Sequence, residues 1–198
     1  TCGTGARAAE AVLVPATVQI ESTPSTSGVV VRVGSGTGHV DATIKGFTID
    51  GHNAALDPAG RLLNGVRVHT GAGIANSVTD FYESSPGAYD TTMDVENNII
   101  QNLERYGVLA DNVPARPGVR SATVSCNKID NLPSGNNFGG GRGRGVAFEE
   151  NVYGTCSNNT MSRVNVGWQD DNYNLASPGA GTIVSGNTIS SYHRGIFH

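Results

Sequence analysis

Along most of this chain apolar residues recur two apart in short runs, broken by Gly, Asn, Ser and Asp, which is the period of a strand and not of a helix. One six-residue unit, apolar-x-x-Asn-x-apolar, occurs at Val95–Ile100, Val124–Ile129, Cys156–Met161 and Val184–Ile189. A variant at Ile44–Ile49 carries Phe47 in place of the Asn. Its Asn residues, Asn98, Asn127, Asn159 and Asn187, are 29, 32 and 28 positions apart. A second unit, Gly-apolar-x-apolar, follows each copy of the first, at Gly65–Val68, Gly107–Ala110, Gly145–Phe148, Gly167–Asp170 and Gly195–His198. An earlier copy stands alone at Gly28–Val31. Two units alternating down a chain mark a repeat protein.

Short strands separated by about 20 to 40 residues, with no helical pattern between them, exclude βαβ units. What remains is a coil in which each repeat supplies two or three strands that pair in parallel with their counterparts about 4.8 Å away. Inward Val, Ile and Phe then form columns. Stacked Asn side chains hydrogen-bond to one another and to turn backbone, and Asn tolerates the left-handed conformation that a sharp corner needs.

These units resemble the right-handed parallel β-helix proteins of the pectate-lyase-like class, with their parallel β-helix repeats and inward Asn ladder, over roughly residues 28–198. The resemblance implies an all-β, right-handed parallel β-helix of about five to six coils, a rod about 25 to 30 Å long. Residues 1–198 form a single domain, complete or a fragment of a longer chain, in which 1–27 is an irregular N-terminal or first-coil segment. That fold carries polysaccharide lyases, glycoside hydrolases, epimerases, phage tailspikes, autotransporter passengers and adhesins, so it specifies no one activity. In the family, substrate lies along the outward face of the sheet formed here by the Gly-apolar-x-apolar strands.

Alternation places Val66, Val108, Val146, Trp168 and Ile196 inside, so one outward column reads Val30, Arg67, Leu109, Ala147, Gln169, Phe197. Two residues further on, the next reads Arg32, His69, Asp111, Glu149, Asp171. Asp111, Glu149, Asp171, His69 and Arg67 are the candidate catalytic residues. Asp111, Glu149 and Asp171 are also the candidate ligands of Ca²⁺, the one cofactor expected. Gln169, Trp168 and Tyr173 are the candidate substrate contacts. Carboxylates about 5 Å apart suit a retaining glycosidase or a Ca²⁺ site, and a pair two coils apart, such as Asp111 and Asp171, suits an inverting one. Asp170-Asp171 resembles the Asp pair of polygalacturonase-like hydrolases, whose Gly-His-Gly and Arg-Ile-Lys motifs are absent; a pectate lyase would use Arg67 as its base. A second alignment, Val166 and Trp168 against Val146 and Phe148, would put Gln169 in place of Asp171. The alignment adopted turns Asp170 inward, with His198 as its candidate partner.

Residues 50–64 and 130–144 are expected to lengthen the turn before this strand, and 70–92 the turn after it. Tyr82, Tyr89, Phe138, Tyr173 and Tyr192 lie in or near such loops, where aromatic faces stack on sugars. Asn158-Asn159-Thr160 matches a glycosylation sequon and is read as part of the inward ladder.

Composition narrows the partners. Charged residues are 15% of 198, against roughly 25% in a typical domain, and Gly numbers 27. Like charges on stacked turns would repel, which accounts for the scarcity. Two lysines and a net charge of -4 exclude nucleic acid as the expected partner, and Arg142-Gly143-Arg144 reads as a solvated loop. No run is long and apolar enough to span a membrane, and residues 1–11 do not read as a signal peptide. Cys126 and Cys156 fall on adjacent coils but two positions out of step, beyond disulfide reach, and are expected as free core thiols.

Two functions follow. The first is a secreted or cell-surface domain that binds or processes polysaccharide along this face, as lyase or glycosidase. The alternative is a non-catalytic structural or adhesive β-helix that stacks end to end or belongs to a larger surface protein. Gly195–His198 stops in mid-strand, so open strand edges are expected to pair with another subunit unless more chain covers them.

Overall fold

The computed structural model describes residues 2, 10–20, 28–34, 38–76, 90–111, 120–132, 143–149, 152–171 and 181–197. The side chains of Arg120, Asp171, Tyr192, His193 and Phe197 fall outside that description. The fold is all-β, with long parallel sheets, built as successive passes of the chain. The first pass holds β1 (Val12–Leu13) and β2 (Val29–Arg32). The second holds β3 (Val40–Lys45), β4 (Thr48–Asp50), a hairpin of β5 (Arg61–Leu63) and β6 (Val66–Val68), and β7 (Ala72–Ala75). β8 (Thr91–Glu96), β9 (Ile99–Gln101) and β10 (Tyr106–Asp111) make the third, and β11 (Arg120–Ser125), β12 (Lys128–Leu132) and β13 (Arg144–Glu149) the fourth. The fifth has β14 (Val152–Ser157) and the long β15 (Thr160–Asp171), and the sixth β16 (Ile183–Ser185) and β17 (Thr188–Phe197).

The first strand of each pass from the second onward joins a five-stranded sheet, ordered β16-β14-β11-β8-β3. All the others except the separate β5–β6 hairpin join a ten-stranded sheet, ordered β1-β4-β9-β12-β15-β13-β10-β7-β2 with β17 beside β15. β15 links its two halves: Thr160 to Val164 pairs with β12, and Val166 to Asp171 with β13. Three apolar columns meet in the core, one from each strand position: Ile44, Val95, Val124 and Cys156; Ile49, Ile100, Ile129 and Met161; Ile74, Val108, Val146 and Trp168. Each such side chain removed from water contributes about 1.5–3 kcal/mol.

The repeated Asn forms the expected ladder. Asn98 donates from both its backbone N–H and Nδ2 to Asn127 Oδ1, at 2.9 and 3.0 Å; Asn127 treats Asn159 in the same way, and Asn159 treats Asn187. The three inner amides also donate to strand carbonyls one pass back, at Ile44, Val95 and Val124. Phe47 suffices at the foot because only its N–H is needed there, donating to Asn98 Oδ1 at 3.0 Å. The left-handed residue is not the ladder Asn but the one before it: Gly46, Asn97, Cys126, Asn158 and Gly186 all have positive φ. A second corner repeats the device at Asn102, Asn131 and Arg163. There Asn131 Nδ2 donates to Asn102 Oδ1 at 2.7 Å, and Asn102 Nδ2 to Asp50 Oδ1 at 2.8 Å.

Glycine is required at one point of the second, third, fourth and fifth passes. A Cβ on Gly107 would lie 2.4 Å from Gly145 O and 2.8 Å from Ile129 Cγ2. Gly73, Gly145 and Gly167 face the carbonyl of the next Gly in the column in the same way. The member of this column in the second pass is therefore Gly73, not Gly65. Ile74 pairs with Val108, and Gly65–Val68 is drawn into the antiparallel β5–β6 hairpin, turned by Asn64 and Gly65 at positive φ. The segment before the strand of that pass accordingly runs over 51–71, the one after it spans 76–90, and Val66 is not one of the core column.

Cys126 is not a free thiol. It is bonded to Cys2 across 124 residues with Cα atoms 5.2 Å apart, while Cys156 is buried and free as expected, its thiol pushed up to about 12 by burial. Among the described residues no helix is long and apolar enough to cross a membrane.

Candidate functional site

Asp111, Glu149 and Asp171 stand directly in register on β10, β13 and β15, on three successive passes. This is the adopted alignment: Val146 pairs with Trp168, and Phe148 with Asp170. The position below Asp111 in this column lies outside the described residues. The neighbouring outward column reads Arg32, Ala75, Leu109, Ala147, Gln169, Phe197. Ala75 thus replaces the expected Arg67, and Arg32 moves one column over.

Turn geometry on the near side is set by Asn76, whose amide brackets the end of β10. Its Oδ1 accepts from Asp111 N and its Nδ2 donates to Asp111 O, both at 2.8 Å. A chain of polar contacts leads to Glu149. Arg144 Nε donates to Gln169 Oε1, Arg144 Nη1 to the Tyr106 hydroxyl at 3.4 Å, and that hydroxyl to Glu149 Oε1 at 3.2 Å. Arginine only donates, so the phenol oxygen accepts from Arg144 and turns its hydrogen to Glu149, which fixes the direction of the chain. Burial first, then the Glu149 carboxylate, hold the Tyr106 hydroxyl well above the usual phenol range, against Arg144 and Arg105. The Arg144 guanidinium lies 5.3 Å from the Tyr106 ring centroid, so this residue belongs to a strand and not to a solvated loop.

Other expected members fall elsewhere. Trp168 faces the core, edge-on to Phe148 with ring centroids 6.4 Å apart, so it is not on the outward face. Gln169 is on that face but buried against Arg144. Arg67 sits on β6 opposite Leu62, its Nη1 donating to Gly60 O at 3.4 Å. Tyr173, Tyr82, Tyr89, Phe138 and His198 lie outside the described residues, as does the side chain of Tyr192.

His69 leaves the column because the hairpin takes its segment away, and it forms a cluster that the sequence did not suggest. The ring is fully buried; Nδ1 accepts from Asn53 N at 3.1 Å, so the proton is on Nε2, which donates to Ala59 O at 3.1 Å. His52 stacks on it at 5.7 Å, and Asp57 lies 3.4 Å from the Nε2 of each ring. The hairpin is tied down by Arg61 to the buried Glu104 and by Asn64 Nδ2 to Asn131 Oδ1. Burial raises the Glu104 carboxyl, and Arg61 opposes that rise.

Among the described residues no group of three or more His, Cys, Asp or Glu is placed to hold a metal ion. Asp111 and Glu149 offer oxygens of the kind a hard cation takes, but fewer than the six to eight that Ca²⁺ requires. Comparisons with protein-family models, with curated proteins and with solved structures find nothing that matches the chain.

Proposed function

We propose that the chain is a right-handed parallel β-helix of the pectate-lyase-like kind, extracellular, that binds or processes polysaccharide on the outward face carrying Asp111, Glu149 and Asp171. The observation that carries this reading is the alignment of those three acids on consecutive strands in a chain that otherwise avoids charge. Glycoside cleavage uses a pair of carboxyl groups flanking the scissile bond, one as acid and the other as base or nucleophile, and a column of acids supplies such a pair. The Tyr106 hydroxyl, donating to Glu149 Oε1, orients that carboxyl group within the column. Ca²⁺ is the cation that such a column of carboxylates would take, and it would neutralise the column and draw an acidic sugar to it. A Cys2–Cys126 disulfide fits an oxidising compartment.

The test measures new reducing ends and unsaturated-product absorbance over a panel of uronic-acid and neutral glycans, with Ca²⁺ and with chelator, for the wild type and Glu149→Gln. Activity lost in the variant supports the reading. Silence on every glycan, together with no binding by calorimetry, overturns it.

One observation favours the second reading, a non-catalytic structural or adhesive rod that stacks end to end. On the outward face Tyr106, Leu109, Ala147 and Gln169 are all buried rather than open to a ligand. Sedimentation that finds only dispersed monomer at high concentration counts against the stacking rod.

A further inference from the structure

Asn158-Asn159-Thr160 is the one Asn-x-Ser/Thr sequence in the chain, and the corner geometry divides its three residues between inside and outside. Asn158 has φ 57 and is exposed; Asn159 turns inward and is buried in the ladder; Thr160, opening β15, is exposed again. The ladder therefore uses the middle residue of the sequon and leaves the acceptor Asn outside. Among the described residues the Asn158 amide nitrogen makes no hydrogen bond, whereas Asn159 Nδ2 is held by Val124 O and Asn187 Oδ1 at 2.9 Å each.

Space at the corner points the same way. The next residue of that column is Gly186, where a Cβ would come within 2.3 Å of Asn158 Oδ1, so the Asn158 side chain leans across a position that carries no side chain. Below it lies Cys126, joined to Cys2, whose Sγ is 3.6 Å from Asn158 O. The disulfide at this corner fits an oxidising environment, the kind in which asparagine-linked transfer takes place.

We propose that Asn158 is an acceptor for an N-linked glycan. The donor is an oligosaccharide activated on a lipid-linked pyrophosphate. Its sugar C1 forms a bond to Asn158 Nδ2, the C1–O bond to the phosphate breaks, the lipid pyrophosphate leaves with the electron pair, and one Nδ2 proton is lost. A glycan there hangs from the corner between the five-stranded sheet and the first half of the ten-stranded sheet. The carboxylates lie at the far end of the other half, so the modification leaves their face open and the ladder intact. The inference shares with the proposed function only its extracellular setting.

The experiment translates the full chain, with a cleavable leader fused before Thr1, in the presence of microsomal membranes, followed by peptide N-glycosidase F and peptide mapping. Expected is one added glycan, removed by the glycosidase with conversion of residue 158 to Asp, absent in Asn158→Gly and Thr160→Ala and retained in Thr160→Ser. Gly suits the positive φ at 158, so that variant keeps the corner. Translocated wild-type chain with its disulfide formed but no glycan overturns the proposal, as does a glycan that persists in Asn158→Gly. Neither result bears on the glycan-cleavage assay, so the two readings fail separately.

Discussion

Asn127 gives one oxygen two hydrogen bonds: its backbone N–H and its Nδ2 both donate to Asn159 Oδ1, at 2.9 and 3.0 Å. Its own Oδ1 receives the same pair from Asn98, and its Nδ2 also reaches Val95 O. Asn127→Ala strands two buried donors and a carbonyl, each worth about 1–3 kcal/mol, so a loss of about 4 kcal/mol is expected in urea unfolding. Asn187→Ala, at the less buried end, should cost nearer 1–2 kcal/mol. Equal costs at both positions would refute a ladder that gains its strength from burial.

The glycine column predicts a contrast between two chemically identical changes. In Gly145→Ala the new methyl meets Gly167 O and Met161 Sδ at 2.6 Å, whereas at Gly195 nothing lies within 4 Å. Gly145→Ala should destabilise by about 3 kcal/mol and Gly195→Ala by less than about 0.5 kcal/mol, read from paired thermal melts.

Reducing Cys2–Cys126 releases a link across 124 residues, and the chain-entropy account gives a loss of about 4–5 kcal/mol. Cys126 also stands at φ 58, in a column otherwise filled by Gly and Asn. With Cys2→Ser in both, Cys126→Gly should therefore be about 1 kcal/mol more stable than Cys126→Ser. The reverse order in calorimetry would show that the corner imposes no such demand.

Asp130 accepts from Arg163 Nε at 2.9 Å, from Arg163 Nη2 at 2.5 Å and from Ser162 Oγ at 2.9 Å. The Arg163 hydrogen bonds hold its carboxyl below the usual carboxylate range, against the effect of burial. A depressed acid contributes stability that is present above its unfolded-state pKa and lost as pH falls through the folded one, so the effect begins to fade below about pH 4. Arg163→Gln should raise the Asp130 midpoint in a carboxyl NMR titration and flatten stability against pH in that window. An unchanged midpoint would assign the shift to another cause.

The register of the acids was legible because Asp111, Glu149 and Asp171 each follow a glycine-led strand at a constant interval, and a parallel register preserves that interval. Asn102 and Asn131 are also 29 apart, each framed as Ile-x-Asn-Leu, but the pattern has only two Asn copies because Arg163 takes the same corner in the next pass. Arg67 and His69 misled for a physical reason. Gly65–Val68 alternates as a repeat strand does, and alternation does not distinguish a hairpin arm from a strand of the stack.

By itself, then, the sequence determined what depends on local periodicity: the strands, the ladder positions, the parallel stacking of equivalent units and the column of acids. Tertiary structure decided what depends on which segments meet. It chose Gly73 over Gly65 because only a glycine facing the next pass fits there, bonded Cys2 to Cys126 across most of the chain, and turned Asn158 outward while its neighbour turned in. Contacts between residues so far apart are set by how the passes stack, and no spacing along the chain records them.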